Sequence, residues 1–230
     1  MKDSHAEVSS APRTGICYLV GAGDPPRAFH LAPDDLLIAA DGGYDILTAR
    51  GIRPHLLVGD LDSITTRATD VPLLRFPVRK DEADMMLAWR EGHRRGYRRF
   101  CLLGGTGGRE DHTFANYALL LAIRRAGDRA LLVGTADTVL MIENETVTIP
   151  LKNRTGRHFS AFPFDGAARD VTITGLSYTA EHITLSPDYP LAVSNLFDTT
   201  DATVSVGDGA LLLFLEDLPA DEPDLSLLAF

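Results

Sequence analysis

Leu56-Leu57-Val58-Gly59-Asp60-Leu61-Asp62-Ser63 is the segment that says most about the architecture of this chain. Its first three residues form an apolar run that is long enough for a buried strand and too short for a helix. Gly59 then lets the backbone turn, and two carboxylates follow with one residue between them. At the carboxyl end of a parallel strand, such a turn projects side chains into the crevice where open α/β sheets bind ligands. The stretch therefore predicts an α/β sheet with a ligand site at this strand end.

Asp60 and Asp62 indicate what this ligand site holds. Two aspartates this close repel each other, so at neutral pH they favour a divalent cation or a shared proton. Magnesium suits them because it takes one or two protein carboxylates and leaves its other positions to water and phosphate. The alternative is a turn in which both side chains only cap neighbouring backbone amides.

Composition limits the class of protein. The chain has 230 residues, 45% of them hydrophobic and 23% charged, which is ordinary for a soluble globular protein with one large or two small domains. A net charge of −10 argues against a general binder of nucleic-acid backbones. Cys17 and Cys101 lie in apolar runs, so we predict two buried free thiols. Residues 1–12 lack the apolar core of a signal peptide, and no apolar run reaches the ~18 residues of a membrane span, which predicts a cytoplasmic protein.

The first half of the chain alternates strand and helix patterns, which predicts a doubly wound, mostly parallel sheet. The predicted strands are 16–20, 36–40, 56–58, 71–76, 100–103 and 130–133, and the predicted helices are 44–50, 82–95 and 112–126.

Near Thr138 the pattern changes to short segments separated by turn residues, with no helix between them. This pattern predicts an antiparallel β-sandwich or barrel. Its predicted strands are 139–142, 146–149, 158–162, 171–174, 182–185, 191–194, 203–206 and 211–215.

The clearest local signal is Gly104-Gly105-Thr106-Gly107-Gly108-Arg109-Glu110-Asp111-His112. Four glycines between a strand and a helix make a loop whose amides can bind phosphate at the positive end of the helix. Arg109 adds a planar donor for phosphate oxygens. The loop is not a Walker A motif, because no Gly-Lys-Ser/Thr follows. We expect Asp111 to serve partly as a helix N-cap, and His112 is a weaker candidate for a general base.

Two further acidic motifs follow or precede predicted elements. Asp41-Gly42-Gly43 follows a strand, where glycines permit a close approach of the backbone to a ligand, although Asp-Gly is also a common turn. Lys80-Asp81-Glu82-Ala83-Asp84 opens a helix, where Asp81 and Asp84 could simply be a cap and a first-turn carboxylate. The functional interpretation makes Asp84 a third carboxylate at the metal and places Lys80 on a phosphate.

Together these motifs resemble the thiamine pyrophosphokinase family, which transfers a diphosphate from ATP to thiamine. In the second half, Gly175-Leu176-Ser177-Tyr178 and Leu191 to Phe197 look like the β-domain motifs of that family. The resemblance runs over most of residues 15–215. It implies an α/β catalytic domain at 13–137 that binds ATP and magnesium. It also implies a β-sandwich domain at 138–230, and a homodimer with the thiamine site between subunits.

The resemblance also implies roles for individual residues. The catalytic residues would be Asp60, Asp62, Lys80, Asp84, Arg109 and Asp111, of which Asp60, Asp62 and Asp84 would hold Mg²⁺. ATP would contact Gly21, Gly23, Lys80, Asp81, Gly104, Gly105, Thr106, Gly107, Gly108, Arg109, His112 and Asn116. Thiamine would contact Asp41, Ser194, Asn195 and Phe197. For Phe197, packing inside the sandwich is an equal alternative to stacking on the ligand.

Two other functions fit parts of the pattern. A phosphatase of the haloacid-dehalogenase type uses Asp-x-Asp as nucleophile, but there the motif normally ends the first strand, whereas Asp60 follows at least two predicted strands. A non-catalytic nucleotide or thiamine sensor would keep the fold. Binding alone, however, does not require three carboxylates near a phosphate site.

Overall fold

The computed structural model describes residues 12–60, 64–65, 71–76 and 82–229. The chain divides into two compact units. The first contains Met1–Ala22 and His30–Cys101, and the second contains Gly23–Phe29 and Leu102–Phe230. Part of the segment that follows the first strand thus belongs to the second unit.

The first unit is a parallel sheet of short strands. Its strands are β1 (Cys17–Val20), β2 (Leu36–Ala40), β3 (Leu56–Gly59) and β4 (Leu73–Arg75), which lie side by side in that order. The helices are α1 (Gly43–Ala49) and α2 (Asp84–Arg94). Every residue of β1, β2 and β3 is buried, as expected of parallel strands covered on both faces. This burial explains why these strands read as continuous apolar runs in the sequence.

Strand β5 (Arg99–Leu103) leads from the first unit into the second. The second unit continues with helix α3 (Glu110–Arg125) and with strands β6 (Arg129–Val133), β7 (Asp137–Glu143), β8 (Thr146–Ile149), β9 (His158–Thr174), β10 (Ala180–Leu185), β11 (Asn195–Leu196) and β12 (Ala202–Glu216). A short 3₁₀ helix, Leu225–Leu228, follows. The strand order is β10-β9-β12-β7-β6, with β8 paired to β12 and β11 paired to β9, and these pairs are antiparallel. A mostly parallel sheet followed by antiparallel strands confirms the predicted fold class.

Two predicted pairs of strands are single long strands in the structure. The segments predicted at 158–162 and 171–174 both belong to the 17-residue β9, and those at 203–206 and 211–215 both belong to the 15-residue β12. The intervening Asp165 and Gly166 have φ of 63° and 112°, and the register between β12 and β9 shifts between Asp208 and Ala210. Residues typical of turns here bend the strands without ending them, as in β-bulges.

The strand predicted at 191–194 is also wrong, because the paired residues are Asn195 and Leu196. Ser194 has a left-handed φ of 58°, a conformation that interrupts an extended strand. The domain boundary expected between residues 137 and 138 stays a prediction.

The two cysteines are buried free thiols, as predicted, and burial raises the pKa of Cys17 well above its usual range. Within the described ranges, no helix is long and apolar enough to cross a membrane.

Candidate active site

Asp41 and Asp60 follow neighbouring parallel strands of the first unit. Ala40 on β2 pairs with Val58 on β3, and the Asp41 amide continues this pairing by donating to the Val58 carbonyl at 2.8 Å. A Cβ built on Gly59 would lie only 3.1 Å from the Asp41 Cβ, so Asp41 packs directly on the backbone before Asp60. Each aspartate is only 8% exposed. Asp41 therefore lies beside the backbone that leads into Asp60, where β2 and β3 end.

Packing against a neighbouring strand requires a glycine at Gly43 of the Asp41-Gly42-Gly43 motif. A Cβ on Gly43 would lie 1.9 Å from the Val20 carbonyl oxygen, because α1 begins directly against the end of β1. The close approach that the motif predicts is therefore to a neighbouring strand. Asp41 itself has φ of 44°, a left-handed conformation that aspartate tolerates better than most residues.

The predicted metal ligands are only partly described. Asp84 is the first residue of α2 and is partly exposed. Asp62, Lys80 and Asp81 lie outside the described residues. Among the residues that are described, no three His, Cys, Asp or Glu side chains are grouped closely enough to hold a metal ion. The set Asp60, Asp62 and Asp84 thus stays a prediction.

The glycine loop of the second unit is fixed by its backbone. Gly104, Gly107 and Gly108 have φ of 60°, 77° and 66°, values that favour glycine. The Gly23 amide donates to the Gly104 carbonyl at 2.8 Å, and the Asp24 amide donates to the Thr106 carbonyl at 2.7 Å. The segment after β1 therefore lies along the loop.

Gly105 and Asn116, both predicted to contact ATP, have structural roles in this loop. A Cβ on Gly105 would come within 2.6 Å of the Leu132 side chain, so the position has no room for one. The buried Asn116 donates its Nδ2 to the Gly105 carbonyl at 2.7 Å. Asn116 thus ties the loop to α3, a role that the sequence alone did not reveal.

Arg109 and Asp111 form an exposed ion pair at the start of α3. Arg109 Nε donates to Asp111 Oδ1 at 3.0 Å, and a second guanidinium nitrogen lies 2.5 Å from Oδ2. Their side chains are 72% and 64% exposed, so a ligand can reach both. The hydrogen bond from Arg109 lowers the pKa of Asp111 and raises the pKa of Arg109.

The expected N-cap role of Asp111 is wrong, because Arg109 occupies the N-cap position and no side chain caps the helix. Asp111 instead lies in the first turn, where its Oδ1 also accepts the His112 amide at 3.0 Å. A negative charge in the first turn complements the helix dipole. His112 is exposed on the surface of the helix.

The residues predicted to bind thiamine differ in exposure. Phe197 is 1% exposed and packs edge-on against Phe159, with ring centroids 6.0 Å apart. Of its two interpretations, core packing therefore describes this structure, because a buried ring offers no face for stacking. Asn195 exchanges two hydrogen bonds with the backbone of Tyr178, at 3.0 Å and 2.6 Å. Ser194 is exposed, and its amide donates to Ser160 Oγ at 3.0 Å.

Sequence reasoning missed the apolar surface beside Ser194 and Asn195. Large apolar side chains are exposed on two neighbouring segments: Tyr178 at 74%, whose backbone Asn195 contacts, and, shortly before Ser194 in the sequence, Tyr189 at 66%, Leu191 at 54% and Val193 at 42%. Tyr178 belongs to the Gly175–Tyr178 motif, so a signal was present, but periodicity does not distinguish an exposed tyrosine from a buried one. Exposed apolar groups that cluster in this way often mark an interaction surface.

A cavity of about 470 Å³ also lies in the second unit. It is lined partly by Lys152, Arg154, Asp217 and Asp224, whose charges are paired with one another. Because these groups already neutralise each other, we do not place the active site there.

Buried carboxylates at parallel strand ends, and a glycine loop with an arginine at a helix start, are typical of α/β proteins that bind phosphorylated ligands. Two family models match the chain: the thiamin pyrophosphokinase catalytic domain at residues 30–132 and the thiamin pyrophosphokinase vitamin B1 binding domain at residues 144–211. The chain belongs to the thiamine pyrophosphokinase family. This assignment confirms the predicted family and function and does not favour the phosphatase or the sensor.

Relatives with this name span most of the chain. Thiamine pyrophosphokinase of Bacillus subtilis is 27% identical over 184 residues, covering 77% of this chain and 86% of the relative. A crystal structure of the Bacillus subtilis protein has a TM-score of 0.80 at 24% identity and covers 88% of this chain and 99% of its own. The Geobacillus thermodenitrificans structure has a TM-score of 0.77 at 26% identity, with coverages of 88% and 97%. The yeast enzyme, with a TM-score of 0.70 at 14% identity and coverages of 92% and 88%, supports the fold alone.

Proposed function

We propose that this protein transfers a diphosphate group from ATP to the hydroxyl of thiamine, giving thiamine diphosphate and AMP. The observation that carries the proposal is the glycine loop at the start of the 16-residue helix α3, with Arg109 exposed beside it. Backbone amides at a helix start bind phosphate well because the helix dipole favours negative charge there. The phosphate groups of ATP are ligands that the glycine loop, the start of α3 and Arg109 can bind.

Diphosphate transfer requires the charge of the ATP phosphates to be neutralised and the attacking hydroxyl to be placed in line with the β-phosphorus. Arg109 and Lys80 would supply positive charge. Arg109 is already paired with Asp111, so a bound phosphate must share Arg109 with this carboxylate or displace it. We propose that Asp111 orients the Arg109 fork between turnovers.

Magnesium is the proposed metal, held by Asp60, Asp62 and Asp84. Carboxylate oxygens are the donors that Mg²⁺ prefers, and Asp60 is buried where β3 ends, next to Asp41, which suits a group whose charge is compensated by a cation. When bound, the ion supplies charge neutralisation at the phosphate oxygens. The protein's own part is to keep these carboxylates ionised and in place.

For thiamine, we propose contacts from Asp41, Ser194 and Asn195, with Tyr178 as an aromatic face. Thiamine is cationic and aromatic, and Tyr178 offers an exposed ring on a backbone that Asn195 holds by two hydrogen bonds. Phe197 would support this surface from the core. We further propose a homodimer, which the exposed apolar groups near Ser194 favour, and cytoplasmic localisation stays a prediction.

A product assay tests the proposal. The protein is incubated with ATP, Mg²⁺ and thiamine, and nucleotides and thiamine esters are separated by chromatography. We expect AMP and thiamine diphosphate in equal amounts, and no AMP without thiamine. Release of inorganic phosphate alone would indicate the phosphatase, and no turnover would indicate the sensor.

A matched pair of variants sharpens this assay. Asp60→Asn should lower the rate of AMP formation by about 10²-fold or more, whereas Asp208→Asn makes the same chemical change at an exposed ion pair with Arg169 and should leave the rate unchanged. Equal activity of the two variants would remove Asp60 from the proposed site.

A further inference from the structure

The segment Gly23–Phe29 lies against the glycine loop at its first two residues. The amides of Gly23 and Asp24 donate to the carbonyls of Gly104 and Thr106, as described above. Gly23 also has no space for a side chain, since a Cβ there would lie 2.2 Å from the Thr106 oxygen. A Cβ on Gly107 would lie 2.1–2.3 Å from the Asp24 carboxyl group, which shows that the Asp24 side chain lies directly over the loop. The position of the loop is thus coupled to the position of this segment.

The same segment is held at Arg27 by a buried charge. Arg27 is 5% exposed, and one guanidinium nitrogen donates to Asp217 Oδ2 at 2.9 Å and to Thr138 Oγ1 at 2.8 Å. Thr138 Oγ1 in turn donates to the same Asp217 oxygen at 2.5 Å. The second terminal nitrogen of Arg27, Nη1, donates to the Leu218 carbonyl at 3.4 Å. Arg27 therefore joins the segment to β7 and to the chain after β12.

Pro25 and Pro26 are the residues between these two attachments. Proline fixes φ and has no amide hydrogen, so two in a row make a stiff connection that does not compete for backbone hydrogen bonds. Because the connection is stiff, a shift of Arg27 would also shift Asp24. A flexible connection of glycine or serine would not have this property.

Asp217 is itself fixed by further charges. Arg154 donates to Asp217 Oδ1 and to Asp224 Oδ2, both at 3.1 Å, and Lys152 also pairs with Asp224. Arg154, Asp217 and Asp224 are all buried. Burying charges costs free energy even when they are paired, so this network is better explained by a need for a defined geometry than by stability alone.

We propose that Arg27 and Asp217 are positioning residues, which hold the Gly104–Gly108 loop in its phosphate-binding conformation through the Gly23–Phe29 segment. The proposal rests on the proposed function, in that the ligand of the loop is taken to be the phosphates of ATP. Neither residue touches the substrate in this account. Both act through the two backbone hydrogen bonds at Gly104 and Thr106.

The test compares Arg27→Lys with Arg124→Lys. Arg124 forms a partly buried ion pair with Glu145 at 2.7 Å in the same unit, and it lies in the last turn of α3, at the opposite end of the helix from the glycine loop. Because misplacing a binding group by a fraction of an ångström is costly, we expect Arg27→Lys to raise the KM for ATP about tenfold. Its KM for thiamine should change less than twofold. Arg124→Lys should leave both constants unchanged.

Hydrogen–deuterium exchange gives a second readout that does not depend on turnover. Arg27→Lys should speed exchange of the Gly23 and Asp24 amides, which donate the two hydrogen bonds to the loop, relative to those of β7, whereas Arg124→Lys should not. Asp217→Asn serves if the lysine variant folds poorly, and it should show the same pattern. Unchanged KM for ATP together with unchanged exchange at Gly23 and Asp24 would overturn the proposal.

The two proposals fail differently. If the unchanged protein makes no thiamine diphosphate, the proposed function fails. Binding of a non-hydrolysable ATP analogue, measured by calorimetry, then reports on the loop directly. Weaker binding in Arg27→Lys supports the positioning role, and equal binding overturns it.

Discussion

The two units place their polar groups in different ways. In the first, strands of three to five residues run parallel, so the polar residues that follow β2 and β3 come together at one edge. In the second, antiparallel strands of up to 17 residues form the core. The Gly104–Gly108 loop of this unit is held by hydrogen bonds from the Gly23–Phe29 segment, which is itself held by the ion pair of Arg27 with Asp217. Polar groups of the first unit thus meet because short parallel strands end together, whereas the loop of the second unit is positioned by residues far away in the sequence.

This difference predicts how substitutions act. Changes at the strand ends of the first unit should affect activity and leave stability nearly intact. Changes to buried side chains that pack on the long strands of the second unit should affect stability first.

Asp60→Asn should show the largest effect on activity. The change keeps the shape of the side chain and removes the charge that is proposed to hold the metal. We expect kcat for AMP formation to fall by about 10²-fold or more, as when other electrostatic groups of active sites are removed. The unfolding temperature should stay level or rise, because less carboxylate charge is buried beside Asp41.

The measurement is kcat in saturating Mg²⁺ together with thermal unfolding. A folded Asp60→Asn protein with nearly full activity would show that strand-end carboxylates of the first unit are structural, and the comparison between the units would lose its main support.

Phe197→Ala should do the opposite, lowering stability and leaving the kinetics nearly unchanged. Phe197 is fully packed against Phe159, so its truncation leaves a cavity and should cost about 3–5 kcal/mol of unfolding free energy. The KM for thiamine should change little in the protein that remains folded. Ser194→Ala, at an exposed position three residues earlier, should instead raise the KM for thiamine and leave stability unchanged.

Denaturant unfolding and steady-state kinetics of both variants decide between these roles. If Phe197→Ala raised the KM for thiamine without loss of stability, the ring would have to reach the ligand, contrary to its position in the core.

Arg109→Lys should have an intermediate effect. Lysine keeps the charge but lacks the fork that pairs with Asp111 and can bind two phosphate oxygens. We expect kcat/KM for ATP to fall about tenfold, equivalent to about 1.4 kcal/mol, with no change in unfolding free energy. Arg169→Lys, in an exposed pair with Asp208, is the matched control and should match the parent. Equal kinetics for both variants would make Arg109 a surface residue.

The sequence predicted the first unit more accurately than the second, for physical reasons. Buried parallel strands such as Leu36–Ala40 are continuous apolar runs that end at glycine or aspartate, so pattern and structure agree. In β9 and β12, Asp165-Gly166 and Gly209 look like turns but adopt left-handed conformations within a bent strand. Only the partner strand decides between a turn and a bulge, and a local pattern does not contain the partner.

The candidate site shows the same limit. Asp60 and the glycine loop were found because residue type and position carry the signal. The sequence did not reveal that Asn116 and Arg27 anchor the loop, because their partners, Gly105 and Asp217, are 11 and 190 residues away. A buried arginine has no sequence signature that distinguishes it from an exposed one.

The smallest predicted effect concerns acid stability and compares one carboxylate in each unit. In the first, Glu91 pairs with Arg94, the last residue of its own helix α2, and with Arg95, the C-cap residue of that helix. In the second, Glu145 lies in the turn between β7 and β8 and pairs with Arg124 on α3 and Arg129 on β6. Burial by itself raises the pKa of each glutamate, but the hydrogen bonds from its arginines outweigh burial and lower the pKa.

A lowered pKa in the folded state means that each pair stabilises the protein above the unfolded pKa of glutamate, about 4.3. This stabilisation is lost as the pH falls through the lower, folded value. Glu145→Gln should cost about 1.5 kcal/mol at pH 7, the lower end for hydrogen bonds to charged groups, and Glu91→Gln should cost less. Glu145 joins three elements, whereas the partners of Glu91 are more exposed and lie at the end of its own helix. Denaturant unfolding at pH 7 and pH 3 measures both variants against the parent, and both differences should shrink at pH 3. A larger loss for Glu91→Gln at pH 7 would show that the local pair in the first unit contributes more than the pair that joins elements of the second.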